Sequence, residues 1–352
     1  MKHADIFHVL VMAVMAVMVA GSCQKAWKPD AGTGEPETKA LTFSLGAIGG
    51  TRATGIQVTD EEKVNRWLLF LFDEAGNRFM APVEVSGSGS TILTLPTGRT
   101  FTVCALANYA SIPGVSTLSA LSGTVSNLGD NALTSLVMYG SGTLKVDGDA
   151  DLYPVPVSRL VAKTGISAIT VDMADDFYAH ETFTLKAVYV TNVYTRSTLA
   201  ADPTPSGTRS LWYNTMGWHG TGSAPSSASL DALTGHTGIN RVIANGSTDQ
   251  TGEYFYFYPN KTSDDTTSSH WSVRHTRLVI EASIGTGAAA RACYYVVTLP
   301  ASKRNNTYIA TSVRITHPGA PDPEQPTPYA MEVTFSTATD GWTGPVTVNE
   351  LS

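Results

Sequence analysis

The sequence predicts a mainly β protein, and three observations carry that expectation. Gly 31 and Pro 18 punctuate the chain, beside frequent Thr, Ser, Val and Tyr, as in short strands joined by turns. Period-2 alternation recurs, first where Leu41, Phe43 and Leu45 alternate with Thr42 and Ser44. No window sustains a helical period beyond a few turns. At 352 residues, 42% hydrophobic and 15% charged, the chain can bury one or two full cores. Its net charge of −7 argues against nucleic acid as a partner, which calls for a basic face.

Residues 1–22 read as a targeting segment. Lys2 and His3 give a weakly basic start, and Val9 to Ala20 form an apolar run. That run is shorter than the roughly 20 residues a bilayer span needs. Ala20-Gly21-Ser22 before Cys23 has the form of a somewhat loose lipobox, in which the Cys thiol is acylated. Residues 24–39 are polar with Gly and Pro, and suit a tether.

The stretch 40–72 organises the rest. After the strand of Leu41, Phe43 and Leu45 come small residues, Gly49 to Gly55, with Arg52 as the single long cation. Such a loop is either a plain connection or the extended backbone that a protease binds. An acidic turn (Asp60, Glu61, Glu62) then leads to Trp67–Phe72, a core strand bounded by the Asp73–Asn77 turn.

Strands follow at Val83–Val85, Thr91–Leu95 and Phe101–Ala107, with a short helix near Thr117–Leu121. Met138–Gly142 reads as a turn before a strand at Thr143–Val146. Pro154-Val155-Pro156 reads as a domain joint, because proline cannot donate to a sheet ladder. Further strands are expected at 166–171, 182–192, 254–258, 277–284, 292–299, 308–316 and 329–336. Residues 197–252, rich in Ser, Thr, Gly and Pro, read as a long insertion.

Chemistry-bearing constellations are sparse. Cys104 and Cys293 sit in strands of different expected domains, which favours two buried free thiols over a disulfide. Asp147, Asp149 and Asp151 alternate as in a calcium loop but lack the Gly and the twelfth-position acid that close one. His270 and His275 bracket Trp271 with no third ligand nearby, and no nucleophile elbow or phosphate loop appears. No enzyme and no cofactor is expected. Tyr254, Tyr256 and Tyr258 alternate with Phe255 and Phe257; the tyrosines either face out over inward Phe or form a row for stacking on sugars. Trp212, Tyr213 and Trp218 are a second aromatic group.

At the C-terminal end, a Pro-rich connector from His317 to Pro326 precedes Met331, Val333 and Phe335, which alternate with Glu332, Thr334 and Ser336. Val346 and Val348 repeat the period beyond Gly341–Pro345. These strands either pair within their own domain or are donated to a neighbour on an extended leash. Their apolar spacing matches that of Leu41, Phe43 and Leu45.

The order of these features resembles the fimbrillins, major subunits of type V pili: lipid Cys23, first strand, Arg52 loop, the strand ending Ala107-Asn108, an Arg159 strand, a Pro-rich connector, and Trp342 between two final strands. The resemblance implies two tandem transthyretin-like β-sandwich domains. Residues 1–22 would be the lipoprotein signal peptide and 23–52 a tether and capping strand removed on maturation. Residues 53–154 would form the N-terminal sandwich. Residues 155–352 would form the second, with connector and donor strands at about 317–352. It further implies cleavage between Arg52 and Ala53 by an Arg-specific protease. The donor would comprise Met331, Val333, Phe335, Trp342, Val346 and Val348. Expected partners are other copies of the chain, accessory and anchor pilins, the outer membrane through the lipid before maturation, and a host or bacterial surface ligand. The expected destination is the outer membrane and then an extracellular fimbrium. An accessory tip pilin, or a glycan-binding surface lipoprotein of the same fold, is the alternative.

Overall fold

The computed structural model describes residues 37–48, 61–147, 151–202, 212–213, 233–261, 275–321, 323, 330–338 and 346–348. Cys23, Arg52, Ala53, Trp218, His270 and Trp342 therefore lie outside the described residues, as do the side chains of Trp212, Tyr213, Val346 and Val348.

The first half of the chain supplies β1 (Thr38–Ile48), β2 (Arg66–Phe72), β3 (Val83–Ser86), β4 (Thr91–Pro96), β5 (Thr100–Ala107), β6 (Val125–Asn127), β7 (Met138–Lys145) and β8 (Leu152–Arg159). Helix α1 (Leu118–Ser122) starts where the Thr117 side chain accepts from the Ala120 N–H. Seven strands pair in the order β3-β2-β5-β7-β8-β1-β4 and fold over on themselves as a sandwich. Its core holds Leu41, Phe43, Trp67, Leu69, Leu71, Phe101, Val103 and Val155. The unbroken apolar run of β2 has a reason: its other face, Leu68, Phe70 and Phe72, belongs to the second core.

Pro154 and Pro156 do not interrupt pairing as expected. Both lie within β8, which runs parallel to β1 with Ser44 opposite Pro154 and Leu45 opposite Val155. β8 contacts β7 only at its end, through Met138–Arg159 and Tyr139–Ser158, so few ladder donors are demanded of it. Met138–Gly142 likewise is not a turn but the first part of β7, paired with β5 from Ala107 to Thr100. Gly140 is there for space, since a Cβ at that position would lie 1.8 Å from the Pro156 carbonyl oxygen.

After Arg159 the chain enters a second set of sheets. Its strands are β9 (Ala162–Ile166), β10 (Ile169–Val171), β11 (Phe183–Thr191), β12 (Val193–Tyr194), β13 (Arg196–Thr198) and β14 (Trp212–Tyr213). They continue with β15 (Gly235–Ile243), β16 (Ser247–Asp249), β17 (Glu253–Phe257), β18 (Arg277–Ile284) and β19 (Arg291–Thr298). The set closes with β20 (Thr307–Ile315), β21 (Met331–Ala338) and β22 (Val346–Val348). One sheet runs β16-β10-β20-β21-β22, with β9 pairing β20 and β17 pairing β9; the other runs β15-β11-β18-β19. Between them Ile169, Phe183, Leu185, Val188, Ile280, Val313, Ile315 and Phe335 close the second core. The 197–252 insertion is partly regular: β15 pairs β11 and β16 pairs β10. Composition hid these strands, because β15 is exposed along most of its length and therefore polar.

Candidate functional site

Three places carry the features that the sequence singled out: β1, the junction around Arg159, and β21.

β1 lies inside its sheet, antiparallel to β4 on one side and parallel to β8 on the other. Leu41 is 2% exposed and Phe43 0%, while Leu45 packs half-buried against the same core. The Phe43 ring lies 6.0 Å from that of Tyr153. Lys39 pairs with Asp151 at 3.2 Å and Lys145 with Asp147 at 2.5 Å, so the described carboxylates of the Asp-rich turn are ion-pair partners.

β21 stands differently. It pairs antiparallel with β20, Phe335 opposite Ala310 and Met331 opposite Ile315. Its other neighbour, β22, covers only Phe335 to Thr337. Phe335 is buried, whereas Met331 and Val333 are half-buried on the second core. Arg314 joins this strand to its neighbours, donating to Glu332 Oε2 at 3.1 Å and through Nε to Asp172 Oδ2 at 3.0 Å. Both expected strands, cap and donor, thus lie paired on the same chain.

The junction is a buried polar cluster that the sequence did not announce. Glu61 Oε1 accepts from Lys163 Nζ at 2.5 Å and from the Tyr256 hydroxyl. Its main-chain oxygen accepts from Arg159 Nε at 3.2 Å, and Arg159 Nη1 reaches Asn305 Oδ1 at 3.3 Å. Arg159 is wholly buried, and desolvation lowers its pKa against the raising effect of the Glu61 and Glu62 charges. Burial, then the Glu61 carboxylate, raise the Tyr256 phenol far above its ordinary range. Only the acidic turn and the Arg-containing strand hinted at this cluster. Glu61 and Tyr256 are too far apart in sequence for any local pattern to join them.

The aromatic row is corrected by the same contacts. Tyr256 and Tyr258 are buried along with Phe255 and Phe257, so no exposed tyrosine face exists there. The Tyr258 hydroxyl bonds Ser126 Oγ and the Asn127 carbonyl, each at 2.9 Å. Both tyrosines point inward because the strand is sandwiched on both faces and each hydroxyl finds a partner.

Asn108 explains the Ala-Asn strand ending. It has φ of 58°, a left-handed conformation that Asn tolerates. Its side chain accepts from the Asn65 N–H at 2.8 Å and donates to the Lys63 and Leu136 carbonyls at 2.8 and 3.0 Å. Cys104 and Cys293 are buried free thiols. Burial pushes the Cys104 thiol up to about 11, against a lowering hydrogen bond from Tyr139. His275 bonds the Leu299 carbonyl, and Asp175 caps a short helix (Asp176–Ala179). Among the described residues no cluster of His, Cys, Asp or Glu has metal-binding geometry.

Two β-sandwiches, the first with its N-terminal strand set between two others, define the class of fold. Solved structures of a fimbrilin and of candidate cell adhesion proteins share that fold. A candidate cell adhesion protein from Bacteroides eggerthii superposes with a TM-score of 0.61 at 19% identity, covering 86% of this chain and 96% of its own. A candidate cell adhesion protein from Parabacteroides distasonis gives 0.59 at 15% identity, covering 88% and 100%. A fimbrilin from Porphyromonas gingivalis gives 0.58 at 17% identity, covering 85% and 96%. No protein-family model matches the chain, and no curated protein sequence matches it.

Proposed function

We propose that this chain is a non-enzymatic structural subunit of a cell-surface fimbrium that polymerises by strand exchange and supports adhesion. The observation that carries the reading is β1. It supplies Leu41 and Phe43 to a core made otherwise by residues beyond 61, and it separates β4 from β8. Its removal would leave an apolar groove with two unpaired ladders, a template for another strand. β21 has the same apolar spacing and only a short partner on its outer side. The fold shared with a fimbrilin agrees with this role.

On this reading Cys23 is lipidated, the precursor reaches the outer membrane, and an Arg-specific protease cuts between Arg52 and Ala53. Residues 23–52 leave, and the segment from about 317 to 352 of another copy fills the groove, so Met331, Val333 and Phe335 stand where Leu41, Phe43 and Leu45 stood. Residues 53–154, extended to the end of β8, form the acceptor domain and the remainder the donor domain. Accessory and anchor pilins are then the further partners, and the mature product lies in an extracellular fimbrium.

Processed protein run unheated on a denaturing gel tests this reading. A stable ladder is expected, because each subunit contributes a backbone ladder as well as apolar contacts, and deleting residues 329–352 abolishes it. Monodisperse monomer after processing contradicts the proposal.

A further inference from the structure

We infer that Glu61 is a specificity-determining tie, fastening the chain downstream of residues 49–60 so that proteolysis between β1 and β2 is excluded from Lys63 and Arg66. The inference rests on the proposed processing for its biological purpose, but its physical content is independent of where the natural cut falls.

A protease must draw several residues on each side of the scissile bond into an extended form, so backbone that is held resists cutting. Residues 61–66 are held at nearly every step. Glu61 is gripped through its carboxylate by Lys163 and Tyr256, and through its carbonyl by Arg159. These partners come from β8, the strand at which the first sheet ends in sequence, and from β9 and β17 of the second set. The Lys63 carbonyl, on the scissile bond itself, accepts from Asn108 Nδ2, and the Asn65 N–H donates back to Asn108 Oδ1. Arg66 enters β2 directly, opposite Ser86. Its guanidinium is taken by the Tyr109 carbonyl at 2.6 Å and by Glu84 at 2.9 Å, leaving it unavailable to a protease's basic-residue pocket.

The two grips differ in kind. Asn108 holds the strap locally by neutral hydrogen bonds, whereas Glu61 holds its leading end by a buried charge pair. Removing one member of such a pair strands the other charge and opens the segment far more often. Lys63 is itself exposed, so its protection comes from backbone restraint and not from burial of its side chain. The upstream side has no equivalent among the described residues: β1 is held by sheet pairing and apolar packing, with Lys39–Asp151 near its start. A cut upstream of Glu61 therefore frees the cap while the acceptor keeps its first core strand anchored.

The test is limited trypsin digestion of the full-length, uncut chain, with products identified by mass, for wild type, Glu61→Gln and Tyr256→Phe. Wild type is expected to resist cleavage after Lys63 and Arg66. Glu61→Gln should raise cleavage after Lys63 by about 100-fold, since cutting follows the population of the opened segment. Tyr256→Phe keeps the ion pair and removes one donor, so a rise of about tenfold is expected. Cleavage after Lys63 that is fast in wild type, or unchanged in Glu61→Gln, overturns the inference. Should Glu61→Gln unfold globally, with cuts appearing throughout β2 and β5, Tyr256→Phe decides: no rise after Lys63 in that variant overturns it. Polymer formation enters none of these readouts, so failure here is distinct from failure of the fimbrial reading.

Discussion

β1 and β21 carry the same spacing of large apolar residues and are held in opposite ways. β1 is interior, with β4 along Thr38–Phe43 on one side and β8 along Thr42–Ile48 on the other, and two side chains at 2% and 0% exposure. β21 has one long partner and one short one, and two of its three large apolar residues are half-buried. Binary pattern sets which face of a strand is apolar, but neighbours set how much depends on that strand. A strand flanked on both sides cannot leave without opening the fold. A strand near an edge can.

The largest expected effect separates the two directly. Deleting residues 38–48 from the chain, with no donor supplied, uncovers Leu95 and Val155 and strips β4 and β8 of their shared partner. The first sandwich should lose its cooperative melting transition in near-ultraviolet circular dichroism. Deleting 331–352 should leave that transition in place. Equal damage from both deletions would break the comparison.

Point substitutions sharpen it. Phe43→Ala should cost about 3–5 kcal/mol in urea unfolding, as expected for a fully buried ring. Val333→Ala, half-buried, should cost about 1 kcal/mol.

A pH titration adds a feature of the cores. Burial raises the Cys104 thiol from 9.0 to about 11, so the folded state retains a proton that the unfolded chain releases. Stability from this group is complete below pH 9 and declines as pH rises through that window. The raised Tyr256 phenol acts in the same direction at higher pH. Urea midpoints measured between pH 8 and 11 should fall, and Cys104 should resist alkylation at pH 8 until the protein unfolds. Alkylation of folded protein at the rate of a free thiol would contradict this.

The smallest stability effect belongs to Arg314. Its carboxylate partners are solvent-exposed, so Arg314→Ala should hardly move the melting temperature. It does remove the bond to Glu332 that secures β21, so polymer ladders should form faster after processing. A slower ladder would mean that Arg314 serves the exchanged state instead.

Much of this was legible in the sequence where one residue's surroundings are set locally. The alternation in β1, the Trp67–Phe72 run and the strands expected at 277–284 and 308–316 follow from period and composition. Misreadings came where a distant partner overrules a local preference. Pro154 and Pro156 fit in β8 because parallel pairing with β1 and the gap left by Gly140 accommodate them. Tyr256 turns inward because Glu61 meets it from across the sequence. β15 escaped notice because an exposed edge strand has little apolar pattern to read. Only the acidic turn and the Arg-containing strand hinted at the Glu61 cluster, because its members are single charged or polar residues, each unremarkable in its own segment.

The central claim is that β1 is a removable cap whose place a second copy takes. N-terminal sequencing of polymer isolated from the cell surface tests it most directly. The account predicts that the mature chain begins at Ala53, with Leu41, Phe43 and Leu45 gone. A start at any residue before Leu41 would leave the cap in place, and strand exchange at this groove would be wrong.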